Sequence, residues 1–306
     1  LNYCTSSYSM AFWDWNRWEK EIDWMALHGI NLPLMTIGTD AVWYSVLKKL
    51  GYSKEEINSF IAGPGFQAWW LMNNLEGWGG PNPDNWYKHQ LSLSSNIMKR
   101  MKEYGIKPVL PGYSGMLPNN AAKKLKVNVS DPGKWCGFRR PAFLQPTDSH
   151  FPKIAALYYQ TMNKLIGKAD CYSMDPFHEG GNTEGVDLDA TGRSIMDAMK
   201  KNNPKSVWVI QAWGGNPRRE MIKNLRRGDM LVLDLYSEAR PQWGDPNSIW
   251  TRKDGFMHHN WLFCMLHNFG GNIGLYGKID YLIEEYYKAL NSSFSPSLKG
   301  VGLTME

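Results

Sequence analysis

The feature that most constrains this chain is a rhythm: short apolar runs, each followed by an amphipathic stretch, recur along its 306 residues. Parallel strands need a long crossover between them, so this alternation calls for a parallel sheet covered by helices. Strands are predicted at 2–7, 31–37, 107–112, 171–177, 206–213, 230–236, 261–266 and 300–305. Helices are predicted at 15–27, 40–50, 85–104, 151–166, 188–201, 217–225 and 281–290, and another opens at Ser53, with Glu56 completing a capping box. Eight strands, each but the last followed by helix, predict an α/β fold of the (β/α)8 TIM-like barrel type spanning 1–306.

The interval between the second and third strands holds several helices and the loop Gly63-Pro-Gly-Phe-Gln-Ala-Trp-Trp70, more than a connection requires. Helical insertions of this kind in strand-end loops are expected to cap a site. A doubly wound open sheet is the alternative topology, but the glycines of Gly270-Gly-Asn-Ile-Gly274 have the wrong spacing for a dinucleotide fingerprint. The chain opens and closes in strand-like material, and it reads as a fragment of a longer protein.

Composition narrows the function classes. A formal charge of +5 comes from 34 basic and 29 acidic residues, and the basic ones are scattered as Lys-Lys and Arg-Arg pairs, so a nucleic-acid partner is not indicated. No run approaches the length of a membrane span. The cysteines Cys4, Cys136, Cys171 and Cys264 lie far apart in no ligand pattern, and Cys171 and Cys264, inside apolar runs, read as buried inert thiols. No cofactor or metal is expected. The 15 Trp, 15 Tyr and 11 Phe are a heavy aromatic load for a chain of negative mean hydropathy. Half-exposed rings beside polar groups suit carbohydrate, whose C–H faces stack on rings while its hydroxyls take hydrogen bonds.

In a barrel, reacting groups sit at the carboxyl ends of strands. Glu179, in Asp175-Pro-Phe-His-Glu-Gly-Gly181, follows the fourth predicted strand, Asp234 lies in the sixth, Glu238 just beyond it, and Glu306 ends the eighth. Glycosidic cleavage needs two carboxyl groups, one protonated to discharge the leaving oxygen and one ionised to trap the oxocarbenium-like centre. Glu179 and Glu306 suit those roles, with Gly180 and Gly181 admitting close approach and His178 offering a polar contact. Read blandly, a glutamate after a strand caps a helix or pairs on the surface. His258-His259 lack a third metal ligand and read as loop histidines. His267 and Asn268 end a strand, where a sugar contact and a core role fit equally. Trp13, Trp15, Trp18 and Trp24 recur at partly helical spacing and read mostly as packing, whereas Trp69, Trp135 and Trp213 are site candidates. Asn128-Val-Ser130 and Asn291-Ser-Ser293 match the glycosylation triplet, which carries meaning only in a secretory context.

Longer runs are more specific. Cys4-Thr-Ser-Ser-Tyr-Ser9, Trp18-Glu-Lys-Glu-Ile-Asp-Trp-Met-Ala-Leu27, Leu231-Val-Leu-Asp-Leu235 and Cys264-Met-Leu-His-Asn-Phe-Gly-Gly-Asn272 resemble the α-N-acetylglucosaminidases of glycoside hydrolase family 89, over nearly the whole chain. The resemblance implies a retaining enzyme that removes terminal α-linked N-acetylglucosamine from glycans, heparan sulfate among them. It implies that Glu179 of Phe177-His-Glu179 is the acid/base and Glu306 of Gly302-Leu-Thr-Met-Glu306 the nucleophile. Asn2, Cys4, Tyr8, Trp69, Met72, Trp135, His178, Trp213, Leu235, Leu266 and Phe269 are the implied pocket residues. The family also carries a small domain before the barrel and a helical domain after it that packs on the barrel and completes the pocket, and its members work outside the cytoplasm, secreted, periplasmic or lysosomal. His178 departs from the family's lysosomal member, which has Asn there. Many two-carboxylate barrels place the nucleophile after the seventh strand, whereas Glu306 follows the eighth predicted here. The rival readings are a barrel that binds carbohydrate without cleaving it and a metal-dependent hydrolase on the same fold.

Overall fold

The computed structural model describes residues 3–266 and 278–304, the last of them by its backbone alone. Its main sheet is six-stranded, and the strands lie side by side in chain order. They are β1 (Val109–Pro111), β2 (Cys171–Ser173), β3 (Val207–Ala212), β4 (Met230–Asp234), β5 (Asn260–Leu266) and β6 (Leu298–Thr304). Every neighbouring pair is parallel. An open doubly wound sheet reverses its strand order at a switch point. The sequential order here rules that alternative out and is the order of a barrel wall, although the sheet does not close on itself among the described residues.

Two of the eight predicted strands turn out differently. The segment 31–35 runs beside β1, with Lys107 N–H donating to the Asn31 carbonyl (2.9 Å), Val109 N–H to Pro33 (2.8 Å) and Met35 N–H to Val109 (2.9 Å). Only Leu34 opposite Val109 forms a complete bridge. Extending the ladder requires an N–H at position 33, which Pro33 lacks. The first predicted strand, 2–7, is instead a 3-10 helix over Cys4–Ser7 in its described part. Local bonds satisfy its backbone, Tyr8 N–H to Cys4 and Met10 N–H to Thr5. Its hydroxyls reach elsewhere: Tyr3 Oη lies 2.6 Å from Ser173 Oγ, Ser6 Oγ 2.8 Å from Thr36 Oγ1, and Ser7 Oγ accepts from Ala68 N–H (2.9 Å). Serines and threonines that offer side-chain bonds compete with strand pairing in this way. With the first strand gone, β6 is the seventh segment of the wall, counting 31–35, and Glu306 follows it in sequence.

The helices stand close to their predicted positions. Asp14 caps Trp15–Leu27 by accepting from Arg17 N–H (3.0 Å), and Ser53 with Glu56 forms the expected capping box before Lys54–Asn58. Trp18 is buried on the inner face of the first helix, while Trp24 is on its outer side against His28. Helices Thr39–Lys49 and Phe151–Leu165 pack together over the sheet. Between them Trp43 meets Phe60, Trp70, Tyr113 and Tyr158, with ring centroids 5.1–6.3 Å apart. Each large ring removes roughly 150–250 Å² from water, so this cluster is a principal anchor of the insertion on the barrel wall.

The connection from β1 to β2 carries structure that the sequence pattern did not show. Met116–Leu117, Ala142–Leu144 and Val129–Ser130 make a three-stranded antiparallel sheet, and Lys134–Trp135 pairs with Phe138–Arg139 as a hairpin. Most of these strands are two residues long, too short for a period-2 signal.

Candidate active site

The carboxyl edge of the sheet is fixed by its register, in which Ala212, Asp234, Phe263 and Val301 stand abreast. Residues that follow these positions leave from one rim. Beyond β2 the chain passes Asp175 and then makes a tight reversal, with positive φ at Phe177 (59°) and Glu179 (48°). Such angles are unfavourable for residues with a Cβ and persist only where the surroundings hold them. The surroundings are visible: Phe177 packs on Phe143 with centroids 4.5 Å apart, and Gly181 N–H donates to the Phe177 carbonyl (3.2 Å).

The root of this loop is Asp175, buried, accepting from Gln211 N–H (2.7 Å) and Gln211 Nε2 (3.2 Å). Burial pushes its pKa up to about 6 against the pull of those donors. Gln211 Nε2 also lies 3.6 Å from Met72 Sδ, tying the loop to the insertion. His178 is buried, and desolvation, helped by the charge of Arg140, pushes its pKa down to about 3. The ring is therefore neutral at any physiological pH, and its Nδ1 has no hydrogen-bond partner among the described residues.

Glu179 itself is exposed at the rim. Asn74 Nδ2 donates to its Oε2 (2.9 Å), and Arg140 Nη2 donates to its backbone carbonyl (2.8 Å). A second Arg140 nitrogen, Nη1, donates to Asn74 Oδ1 (2.8 Å), closing a ring of contacts around the acid. Neither Asn74 nor Arg140 was singled out from the sequence. Arg140 belongs to the pair Arg139-Arg140, which reads as surface charge; Arg139 is exposed, but Arg140 is fully buried.

The segments that carry Asn74 and Arg140 also carry an aromatic wall. Trp69, on the short helix Gln67–Leu71, meets Tyr8 edge-on at 5.6 Å and stacks on Trp135 at 6.1 Å and 26°. Trp135 arrives on the hairpin, five residues before Arg140. Met72, buried, follows Trp69 in the segment that also carries Asn74. Cys4 is half-buried in the 3-10 helix, and Cys136, Cys171 and Cys264 are free thiols.

The remaining described candidates gather around the ends of β3 to β5. Trp213 stacks on Tyr236 (5.8 Å, 29°) and meets Trp250 edge-on at 5.0 Å. Leu235 is buried and donates its N–H to the Ala212 carbonyl (3.3 Å). Leu266 N–H donates to Glu238 Oε1 (2.8 Å). Burial pushes Glu238 up to about 7, and it pushes the wholly buried Asp234, which accepts from Gln242 and Trp243 N–H, to about 7 as well. Asp234 is thus a structural anchor inside the wall and Glu238 a rim carboxyl. Asn2, Phe269 and Glu306, with His267 and Asn268, lie outside the described residues.

Among the described residues no three His, Cys, Asp or Glu side chains form a metal-binding group. His259 is buried, its Nε2 3.0 Å from the Ile222 carbonyl. No described helix is long and apolar enough to cross a membrane.

Comparison with known proteins bears directly on this rim. Residues 1–306 match the family described as the alpha-N-acetylglucosaminidase (NAGLU) tim-barrel domain. The chain is 38% identical over 295 residues to human alpha-N-acetylglucosaminidase, covering 91% of this chain and 39% of that protein. A family 89 glycoside hydrolase from Clostridium perfringens, solved in complex with PUGNAc, superposes with a TM-score of 0.91 at 38% identity, over 99% of this chain and 34% of that one. The Clostridium perfringens enzyme solved with its substrate GlcNAc-alpha-1,4-galactose gives the same TM-score of 0.91, at 38% identity over 99% of this chain and 34% of that one. The chain thus spans about two fifths of the human relative and a third of the bacterial one.

Proposed function

Since this chain belongs to the alpha-N-acetylglucosaminidase family, family 89 of the glycoside hydrolases, we propose that it forms the catalytic barrel of an enzyme that hydrolyses terminal α-linked N-acetylglucosamine with retention of configuration. The observation that carries the reading is Glu179: a carboxyl group on the rim, held in a left-handed backbone and fixed from one side by Asn74, whose segment also carries Trp69 of the Tyr8–Trp69–Trp135 wall. A sugar stacked on such a wall presents its glycosidic oxygen to an acid held nearby.

The mechanism has two steps. Glu306 attacks the anomeric carbon while Glu179 gives its proton to the departing oxygen; Glu179 then takes a proton from water as that water displaces Glu306. Support for Glu306 comes from chain connectivity. β6 runs parallel to β5 and ends at Thr304, abreast of Leu266 on the same rim, and two residues reach at most about 7 Å further. The carboxyl groups of a retaining pair stand roughly 5–5.5 Å apart. His178, Met72, Trp213, Leu235 and Leu266, with Asn2, Cys4 and Phe269, complete the proposed sugar pocket. The further domains of the longer relatives, and a compartment outside the cytoplasm where such glycans are displayed and degraded, belong to the same proposal.

Proton NMR of an α-N-acetylglucosaminide during hydrolysis by the full-length protein tests it. The first free sugar formed is expected to be the α-anomer. Release of β-N-acetylglucosamine first would replace the two-step scheme with inversion, and binding without release would favour a barrel that only holds the sugar.

A further inference from the structure

Arg140 is completely buried, yet it forms no ion pair among the described residues. Its Nη donors go to neutral oxygens, Nη1 to Asn74 Oδ1 (2.8 Å) and the Asn73 carbonyl (3.4 Å), Nη2 to the Glu179 carbonyl (2.8 Å), while Nε has no partner among the described residues. Burying a guanidinium without a carboxylate in hydrogen-bond reach is costly, and a well-packed apolar residue would avoid that cost. Its presence is explained by what it orients.

A guanidinium donates from every nitrogen and accepts from none, so the buried Asn74 side chain must turn Oδ1 toward Arg140. That leaves Nδ2, a donor only, facing Glu179 Oε2 at 2.9 Å. A carboxylic acid accepts far better at its carbonyl oxygen than at its hydroxyl oxygen, and Nδ2 offers nothing to receive a proton from Oε2. We propose that Arg140 and Asn74 are a positioning pair that assigns the acid proton of Glu179 to Oε1 and keeps Oε2 as the unprotonated oxygen. The inference rests on the acid/base role proposed above.

The chemistry follows with its protons accounted for. In the first step the Oε1–H bond breaks, the proton joins the leaving oxygen, and the electron pair remains on Glu179. The negative charge that develops is shared with Oε2, where the Asn74 bond becomes charge-assisted and stronger. The fixed dipole of Asn74 and the nearby charge of Arg140 thus favour the transition state over the ground state. In the second step Oε1 takes its proton back from water.

Asn74→Asp tests the assignment, because it preserves shape while replacing the donor that faces Oε2 with an acceptor. In the full-length protein, kcat/KM for a natural glycoside with a poor leaving group should fall about 10- to 100-fold, since acid catalysis supplies factors of that size or larger. Glycosylation by an activated aryl glycoside, which leaves without a proton, should change less than about 3-fold, by the same principle. Arg140→Lys, a point donor unable to hold both Asn74 Oδ1 and the Glu179 carbonyl, should show the same split. Equal losses on both substrates in both variants would mean a structural role and overturn the proposal. Neutron diffraction from the unmodified protein at acid pH is independent of turnover and of variant folding: a deuteron on Glu179 Oε1 is expected, and one on Oε2 would overturn the assignment. Absence of α-N-acetylglucosaminide hydrolysis by the unmodified protein would instead remove the functional reading, leaving the deuteron position to decide the orientation.

Discussion

Gly181 sits so close to the backbone of Phe177 that a Cβ at position 181 would stand 2.8 Å from the Phe177 Cα. Phe177 begins the reversal that presents Glu179, so the absence of a side chain at 181 is what lets the loop fold back on itself. Gly181→Ala should therefore displace Glu179 by some tenths of an ångström and lower kcat/KM by about 10-fold or more, since misplacements near 1 Å cost up to about 100-fold. Gly180→Ala is the control. Position 180 has a φ of 81° but no atom within 4 Å of the added methyl, so it should cost about 1 kcal/mol of stability with less effect on turnover. Paired measurements of melting temperature and kcat/KM separate the two; an unimpaired Gly181→Ala enzyme would show that the close approach does not place the acid.

Glu179→Gln removes the proposed proton donor without changing the loop's shape. Turnover of natural glycosides should fall by about 10²- to 10⁴-fold, while the first step on activated aryl glycosides is spared. A burst of aryl leaving group followed by a slow phase is the expected trace, because the second step also loses its base. Full turnover of a natural substrate would remove Glu179 from the mechanism.

The Trp69–Trp135 stack predicts a binding effect rather than a chemical one. Trp135→Ala removes an aromatic contact worth about 0.5–1.5 kcal/mol, so KM should rise roughly 2- to 10-fold with kcat little changed. A fall in kcat at constant KM would count against a wall that grips the sugar equally in ground and transition states.

Asp234 governs a stability prediction. Burial raises its pKa from 3.8 to about 7 in the folded chain, so the folded state holds the proton more tightly than the unfolded state. Its contribution is complete below about pH 4 and is lost as pH rises through about 7, a change on the order of 4 kcal/mol. Glu238 and Asp175, raised for the same reason, add slopes of the same sign. His178, pushed down to about 3, works in the opposite direction below about pH 6.5, so Asp234 is read from the difference between two curves: between pH 4 and 8 the thermal midpoint should fall more, or rise less, in the unmodified protein than in Asp234→Asn. Parallel curves for the two proteins would show that Asp234 does not titrate as its burial implies.

The sequence made the periodic parts of the fold legible and left the aperiodic parts dark. Trp15–Leu27 could be read to its last residue because a capping aspartate, a helical apolar stripe and a glycine after it agree. The strand from Val207 to Ala212 was equally plain, buried along nearly its whole length as an inner parallel strand should be. Residues 3–7 misled because their composition suits a strand, whereas their hydroxyls are committed to Ser173, Thr36 and Ala68, contacts invisible without the fold. Glu179 announced itself through its glycines and its place after a strand. Asn74, more than a hundred residues away, had no such signal, since its role depends on a guanidinium whose burial no charge pattern discloses.

The hairpin from Lys134 to Arg139 brings one further consequence. It sets Trp135 against Trp69 and delivers Arg140, immediately after its last strand residue, beneath Asn74 and Glu179. If the proposed roles hold, a designer who grafts another family member's hairpin to retune sugar preference exchanges the support of Glu179 along with the wall. The two features are carried on one piece of chain, and a transplant is expected to succeed only where the incoming loop brings its own arginine at the same point of exit.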